Sequence, residues 1–364
     1  MKFVDEYRNH EIAKALLDQI LKLTDTHGSE MTIMEVCGTH TMNIARAGIK
    51  RLLAGKIRLL SGPGCPVCVT PNVFLDRAIA LCKKDDVIIT TFGDMMKVPG
   101  SRSSLYRERA DGRAVQIVYS PLDSLEIAEK HPDKKIVFLG VGFETTSPTV
   151  AATIKAAHER ALKNFYVLCG HKLVPPAMKA LVTDPELNID GFLCPGHVST
   201  IIGSVPYEFI ARDHGVPCVI AGFESLDILQ GILMLAKQIT GKTEICVEIQ
   251  YTRSVMEQGN PKAMEILNDI FQVGDSSWRG LGEIPQSGLS IREIYSTFDA
   301  LKSIPVELGE SFEHPGCICG EILKGVKIPS ECSLFRNVCN PENPVGPCMV
   351  STEGTCAAYY KYES

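Results

Sequence analysis

"KKIVFLGVGF", residues 134–143, is an apolar run with no polar alternation, and it gives way at once to the polar "ETTSP" of 144–148 and a helix-period segment over 149–163. A strand that is apolar on both faces belongs in a parallel sheet covered by helices on both sides. Similar runs predict strands over 31–36, 56–62, 86–93, 114–120, 165–170, 189–196 and 216–222. Helical spacing fills the gaps at 71–84, 122–131, 149–163, 175–183 and 224–239, with Thr70 as an expected N-cap and Pro71 at the first helical position. This alternation reads as α/β. The expected architecture is two parallel-sheet α/β domains around a cleft, followed by a mainly helical, Cys-rich region. The expected boundaries are 31–140 and 141–240 for the two α/β units and 241–364 for the remainder, with residues 1–30 a helix packing on the C-terminal domain.

A faint echo runs through the units. "VCGTH" (36–40), "LCGHK" (168–172) and "LCPGH" (193–197) each set Cys, Gly and His just after an apolar strand, and "GFETTSP" (142–148) resembles "GFESLD" (222–227). Polar chemistry thus gathers at the carboxyl ends of strands, where open α/β sheets bind ligands.

The bulk composition narrows the function. With 364 residues, 45% of them hydrophobic, the chain can bury two or three cores. Thirty-seven basic against 43 acidic residues, net −6, give no general attraction for nucleic acid or anionic lipid. The first twenty residues alternate charged and apolar positions, and no run reaches the roughly 18 apolar residues of a spanning helix. The expected setting is soluble and cytoplasmic, with no membrane and no nucleic-acid partner. The segment 94–114, with Lys97, Arg102, Arg107, Arg109 and Arg113, reads as a long irregular insertion, either a solvated loop or a lid.

Fourteen cysteines are many for a reducing compartment. Cys82, Cys218 and Cys246 sit in apolar segments and read as small buried hydrophobes. The tail is different. Cys317 and Cys319 are a close pair, whereas Cys319, Cys332, Cys339, Cys348 and Cys356 are separated by six to twelve residues. Zinc favours two matched close pairs, while a [4Fe–4S] cube accepts thiolates from separate loops, so iron–sulfur is favoured over zinc or stray thiols. Four of Cys319, Cys332, Cys339, Cys348 and Cys356 are the expected ligands.

"CGTHT" (37–41) places Cys37 at a strand end before a helix, where a thiolate is expected to be favoured. His40 can serve as metal ligand, proton shuttle or cap. In "SGPGCPVCVTP" (61–71), Cys65 and Cys68 form a CxxC stiffened by Gly and Pro, open to disulfide chemistry, soft-metal binding or a purely structural turn. "GFETTSP" contributes Glu144 and "CPGHVST" contributes His197 at corresponding strand ends. No Walker A loop, dinucleotide fingerprint or nucleophile elbow is present.

"CGTHT", "GPGCPVC", "GFETTSP", "PGHVS" and "PVGPCMVSTEGTCAAYYKY", in that order, resemble the HypD family of [NiFe]-hydrogenase maturation proteins, from about residue 30 to the C-terminus. The resemblance implies assembly of the Fe(CN)2CO group on a bound iron, in complex with the HypC chaperone, with cyanide received from HypE and the hydrogenase large subunit as indirect partner. It also implies a [4Fe–4S] cluster in the C-terminal region, and it makes Cys37, Cys65 and Cys68 the iron-binding thiols. His40, Glu144 and His197 would orient ligands or move protons. The chain is then an assembly scaffold with redox activity rather than a conventional turnover enzyme. The rival reading is an iron–sulfur-linked thiol–disulfide oxidoreductase.

Overall fold

A computed structural model describes residues 9–363. All eight expected strands form, each within a few residues of its expected span: β1 Met31–Glu35, β2 Ile57–Ser61, β3 Val87–Thr91, β4 Val115–Ile117, β5 Lys135–Gly140, β6 Phe165–Cys169, β7 Gly191–Pro195 and β8 Cys218–Ala221. A short β9, Val247–Ile249, follows. These strands build two parallel sheets, ordered β2-β1-β7-β8-β9 and β4-β3-β5-β6. Central residues such as Ile33, Ile89, Phe138 and Val219 are inaccessible to solvent, because helices cover the sheets.

The sheets do not follow the expected division near residue 140. β1 lies between β2 and β7, in the register Ile33↔Gly191, Met34↔Phe192 and Glu35↔Leu193. One unit therefore combines residues 31–61 with 191–249, and the other is the continuous stretch β3 to β6. An apolar run reports that a strand is buried on both faces; it carries no label for its neighbour.

The N-terminal helix His10–His27 also departs from expectation. It packs on helix Ser225–Ile239, and its Ile20 joins Ile33, Ile44, Ile228 and Ile232 in one core. The helix seated on Gly38–Arg46 is instead the C-terminal one, Thr355–Tyr362. Residues 241–364 are less helical than their pattern suggests. Helix Pro261–Ile270 leads into an antiparallel hairpin, β10 Phe271–Trp278 and β11 Gly282–Ile291, and residues 293–303 form a 3-10 turn, Glu293–Phe298, plus one short turn rather than a long helix.

Two local details correct the reading of the loops. Thr70 ends the short helix Pro66–Val69, and Pro71 is the N-cap residue of Asn72–Cys82. The 94–114 segment is neither a free loop nor a detached lid, since helix Leu105–Ala110 and the side chains of Met95, Met96, Val98 and Leu105 are anchored in the core. No helix among the described residues is long and apolar enough to cross a membrane.

Candidate functional site

Strands β1, β2, β7 and β8 end on one edge of the five-stranded sheet, and each end carries a motif. β1 delivers Cys37 as the N-cap residue of helix Gly38–Arg46. β2 delivers the "GPG" turn, which runs against the backbone of Cys37: Gly62 N donates to Glu35 O (2.8 Å) and Gly38 N to Gly64 O (3.1 Å). A Cβ on Gly64 would overlap the nitrogen and α-carbon of Cys37, so only glycine admits this approach. The tail closes the other side, since a Cβ on Gly38 would collide with Glu353, whose Oε1 accepts from the Thr39 hydroxyl (2.7 Å).

Cys37 is buried, and burial pushes its thiol up to about 12 against the pull of the Thr39 and His40 amides. The expected thiolate at a helix start is thus overturned. Desolvation outweighs the helix terminus, and the charged neighbours acting on the thiol are the carboxylates Glu353 and Glu35. Such a thiol ionises when a cation shares its pocket. Beneath it, Glu35 accepts from the Cys37 amide (3.0 Å) and from the Thr41 hydroxyl, and burial raises its carboxyl to about 7.

His40 is fully buried, with Nε2 at 2.9 Å from Gly222 O. A carbonyl only accepts, so Nε2 carries the proton and Nδ1 is left as a basic lone pair with no partner. Burial holds its pKa down to about 4, which keeps the ring neutral. His197, exposed, stacks on Phe223 (4.0 Å between centroids), and Phe223 also lies 5.0 Å from His40. Partial burial lowers the pKa of His197 while Glu353 opposes the shift. Cys37, His40 and His197 therefore share one locus with Phe223 and Glu353.

The CxxC faces elsewhere. Cys65 caps helix Pro66–Val69, its Sγ accepting from the Cys68 amide (3.2 Å). The Cys68 thiol lies against Cys348, with Cys65 and Cys319 as further neighbours, and burial drives its pKa well above the ordinary thiol value. The "GPG" turn that precedes the CxxC thus abuts Cys37 while the Cys68 side chain meets the tail. Among the described residues no three His, Cys, Asp or Glu side chains converge to hold a single metal ion, so Cys37, Cys65 and Cys68 do not form a closed cage.

In the tail, Cys317, Cys319, Cys332, Cys339, Cys348 and Cys356 surround one small pocket of about 10 Å³ with Leu334 and Phe335 in its walls. Cys319 and Cys348 are in direct contact, with sulfurs 2.7 Å apart. Contact with neighbouring sulfurs and burial hold the Cys319 and Cys348 thiols well above the ordinary thiol value, and added positive charge favours their ionised form. Soft donors from separate loops around an apolar pocket fit an iron–sulfur cluster. Cys317, which is not in the expected set, lines this pocket as well.

Glu144 stands apart from these thiols. It follows β5 in the second unit, Oε1 accepting from Val174 N (2.9 Å) and Oε2 buried without a partner, and burial raises it to about 7. The neighbouring echo "LCGHK" forms its own buried group: Cys169 Sγ lies 3.3 Å from His171 Nδ1, and Lys172 Nζ donates to Ser276 Oγ and Ser277 O of the hairpin. Glu35, Phe223 and Glu353 were not singled out by sequence reasoning. Glu353, in "STEGTC", lies 314 residues from the Thr39 it touches, and only its position between two motif cysteines hinted at it.

The chain matches the HypD family model, described as the hydrogenase formation hypA family, over residues 11–363. It is 47% identical to the hydrogenase maturation factor HypD of Azotobacter vinelandii, over all of this chain and 97% of that one. It is 44% identical to the hydrogenase maturation factor HypD of Escherichia coli (strain K12), over all of this chain and 98% of the relative. The hydrogenase expression/formation protein HupD of Azotobacter chroococcum mcd 1 is 47% identical, over all of this chain and 97% of its own length.

Proposed function

The chain belongs to the HypD family of hydrogenase maturation factors, and we propose that it holds an iron ion, as substrate, while the Fe(CN)2CO group of [NiFe]-hydrogenase is assembled on it. In this reading Cys37 ligates the iron together with a thiol from HypC, cyanide arrives by way of HypE, and the finished group passes on toward the hydrogenase large subunit. The observation that carries it is the meeting of three distant segments, 37–41, 62–64 and 353, in backbone contact around one buried thiol. A site supplied with one thiol rather than a closed cage leaves positions for incoming ligands and lets the product depart.

The chain's other residues have distinct tasks. Glu35 fixes the Cys37 amide, His40 offers a neutral Nδ1 that can take a proton, and Glu353 and His197 face the same locus. Four of the tail cysteines, drawn from Cys319, Cys332, Cys339, Cys348 and Cys356 with Cys317 in reserve, would hold a [4Fe–4S] cluster, which supplies single electrons when bound. Cys65 and Cys68 would bind the iron transiently or, by exchange with a partner's disulfide that takes up the two protons and two electrons as a dithiol, close to a disulfide.

Infrared spectroscopy tests the reading on the anaerobic complex with HypC. Wild type should show CO and cyanide stretching bands, and Cys37→Ala, with an unchanged circular dichroism spectrum, should lack them. Full bands in the variant, or none in an iron-replete wild-type complex, would overturn it. The contact of Cys68 with Cys348 also favours the second reading, an iron–sulfur-linked thiol–disulfide oxidoreductase. That reading requires the chain alone, without HypC or extra iron, to turn over a protein disulfide, and to stop doing so on Cys65→Ser.

A further inference from the structure

β9 is the last strand of its sheet, and its outer edge is open. Its parallel ladder with β8 uses the Cys246 carbonyl (accepting from Cys218 N, 3.2 Å) and the Gln250 amide (donating to Ile220 O, 2.9 Å). In such a ladder the intervening residues Val247 and Ile249 turn their own N–H and C=O groups away from the neighbour. No described residue donates to or accepts from these four groups. The edge of β4 is unpaired in the same way at Val115 and Ile117, but the two other sheet margins are covered. Helix Cys319–Lys324 packs beside β2, and β6 is bridged at Val167 by Asp299. Proteins ordinarily cover or blunt their edges in this way, so an edge left open along a groove is a template for a further strand.

The groove along β9 has a volume of about 630 Å³. Ile245 contributes an apolar side chain that is 46% exposed, and Cys246, expected from its apolar surroundings to be buried, is exposed there too. The groove's charge is acidic. Glu208 and Glu257 line it, while its one lining cation, Arg212, is already forked onto Asp213 at 2.7 and 2.9 Å.

We propose that the open edge of β9 is a docking site for an extended, basic segment of a partner protein, which pairs with Val247 and Ile249 as an additional strand. Backbone pairing supplies the register, alternate apolar side chains fall into the groove beside Ile245, and basic side chains meet Glu208 and Glu257. The same charges select against a second copy of this chain, which carries net −6 and would bring its own acidic edge to the contact. The surface lies close to the Cys37 locus, since Tyr251, just beyond β9, packs edge-on against Phe223 at 5.8 Å. The inference does not depend on the iron reading.

The test uses the full chain and two capped, fluorescein-labelled hexapeptides, Lys-Val-Lys-Val-Lys-Val and its Glu-for-Lys counterpart. The lysine peptide should bind in low salt, weaken as salt rises, and slow hydrogen exchange at the Val247 and Ile249 amides. The double reversal Glu208→Lys and Glu257→Lys, both on the surface, should weaken it by about tenfold or more and admit the glutamate peptide instead. No binding in low salt, binding that leaves the two amides unprotected, or sedimentation showing that a second copy closes the edge would each overturn the proposal.

Discussion

Glu144 shows how a residue that looks chemical in the sequence can act first through stability. Its carboxyl is almost wholly buried, with one oxygen bonded to the Val174 amide and the other unpartnered, and burial raises its pKa from 4.5 to about 7. Below about pH 4.5 the folded and unfolded states both hold the proton. Between 4.5 and 7 the unfolded chain releases it while the folded chain keeps it, so stability falls as pH rises and the loss is complete above 7. For a shift of this size the loss is on the order of 3 kcal/mol. Glu144→Gln should remove it. Urea unfolding should therefore show the variant gaining on wild type by about that amount between pH 5 and pH 8, because the other shifted groups, Glu35 raised in the same way and His40 lowered with the opposite sign, act equally on both chains. An unchanged difference between the two pH values would mean that Glu144 is ionised in the fold. At this scale the thiols were legible because Gly, Pro and Thr surround Cys37, Cys65 and Cys68. Glu35 and Phe223 were not, since neither stands in a spacing that differs from an ordinary strand end.

Among the elements, strands were the most legible, because burial on both faces leaves unbroken apolar runs such as "IVFLG". The hairpin was not. β10 reads "FQVGDSSW", with Gly274, Asp275 and two serines where a strand pattern is sought, and its ladder shifts register between Gly274 and Ser276. β9 is three residues long with Glu248 at its centre and was not read as a strand, whereas the equally short β4 lies within the longer run "AVQIVYS". Yet the hairpin has a specific job, carried by Arg279. This side chain is buried, donating through Nε and Nη2 to Thr70 O (3.2 and 2.9 Å), through Nη2 to Asn72 Oδ1 (2.6 Å) and pairing with Glu313 (2.8 Å), while its amide donates to Val69 O. It thereby pins the end of the CxxC helix, satisfying carbonyls that would otherwise be buried without donors. Arg279→Met keeps the length and loses every one of these side-chain bonds. The expected cost is about 3 kcal/mol, with faster alkylation of Cys65 and Cys68 under native conditions as the helix end loosens. Denaturant titration and timed thiol labelling read the two effects, and unchanged labelling with lowered stability would confine Arg279 to holding the hairpin.

For the whole molecule, the α/β class followed from alternation, but the partition did not, because pairing between β1 and β7 joins residues about 160 positions apart and leaves no local trace. The consequence is that the site is assembled late along the chain. Cys37 and the "GPG" turn come from its beginning, His197 and Phe223 from its middle and Glu353 from its end, so none of the earlier pieces has the site by itself. The two ways of dividing the chain make opposite claims about fragments. If the boundary lay near 140, residues 31–140 would form a self-sufficient unit. In the observed topology that piece has β1 and β2 without β7, and β3, β4 and β5 without β6, so both its sheets are cut through a buried strand. Residues 84–186 instead carry all four strands of one sheet with helices Asp123–Lys130 and Ser147–Glu159, whose buried faces meet Ile88, Ile136, Phe138 and Phe165 in a common core. Expressed separately, 84–186 should show the greater far-ultraviolet helix and strand signal and a sigmoidal urea transition, while 31–140 should unfold without one. A cooperative transition in 31–140 and none in 84–186 would reverse the assignment of β1 and β2 to the unit completed by β7, β8 and β9.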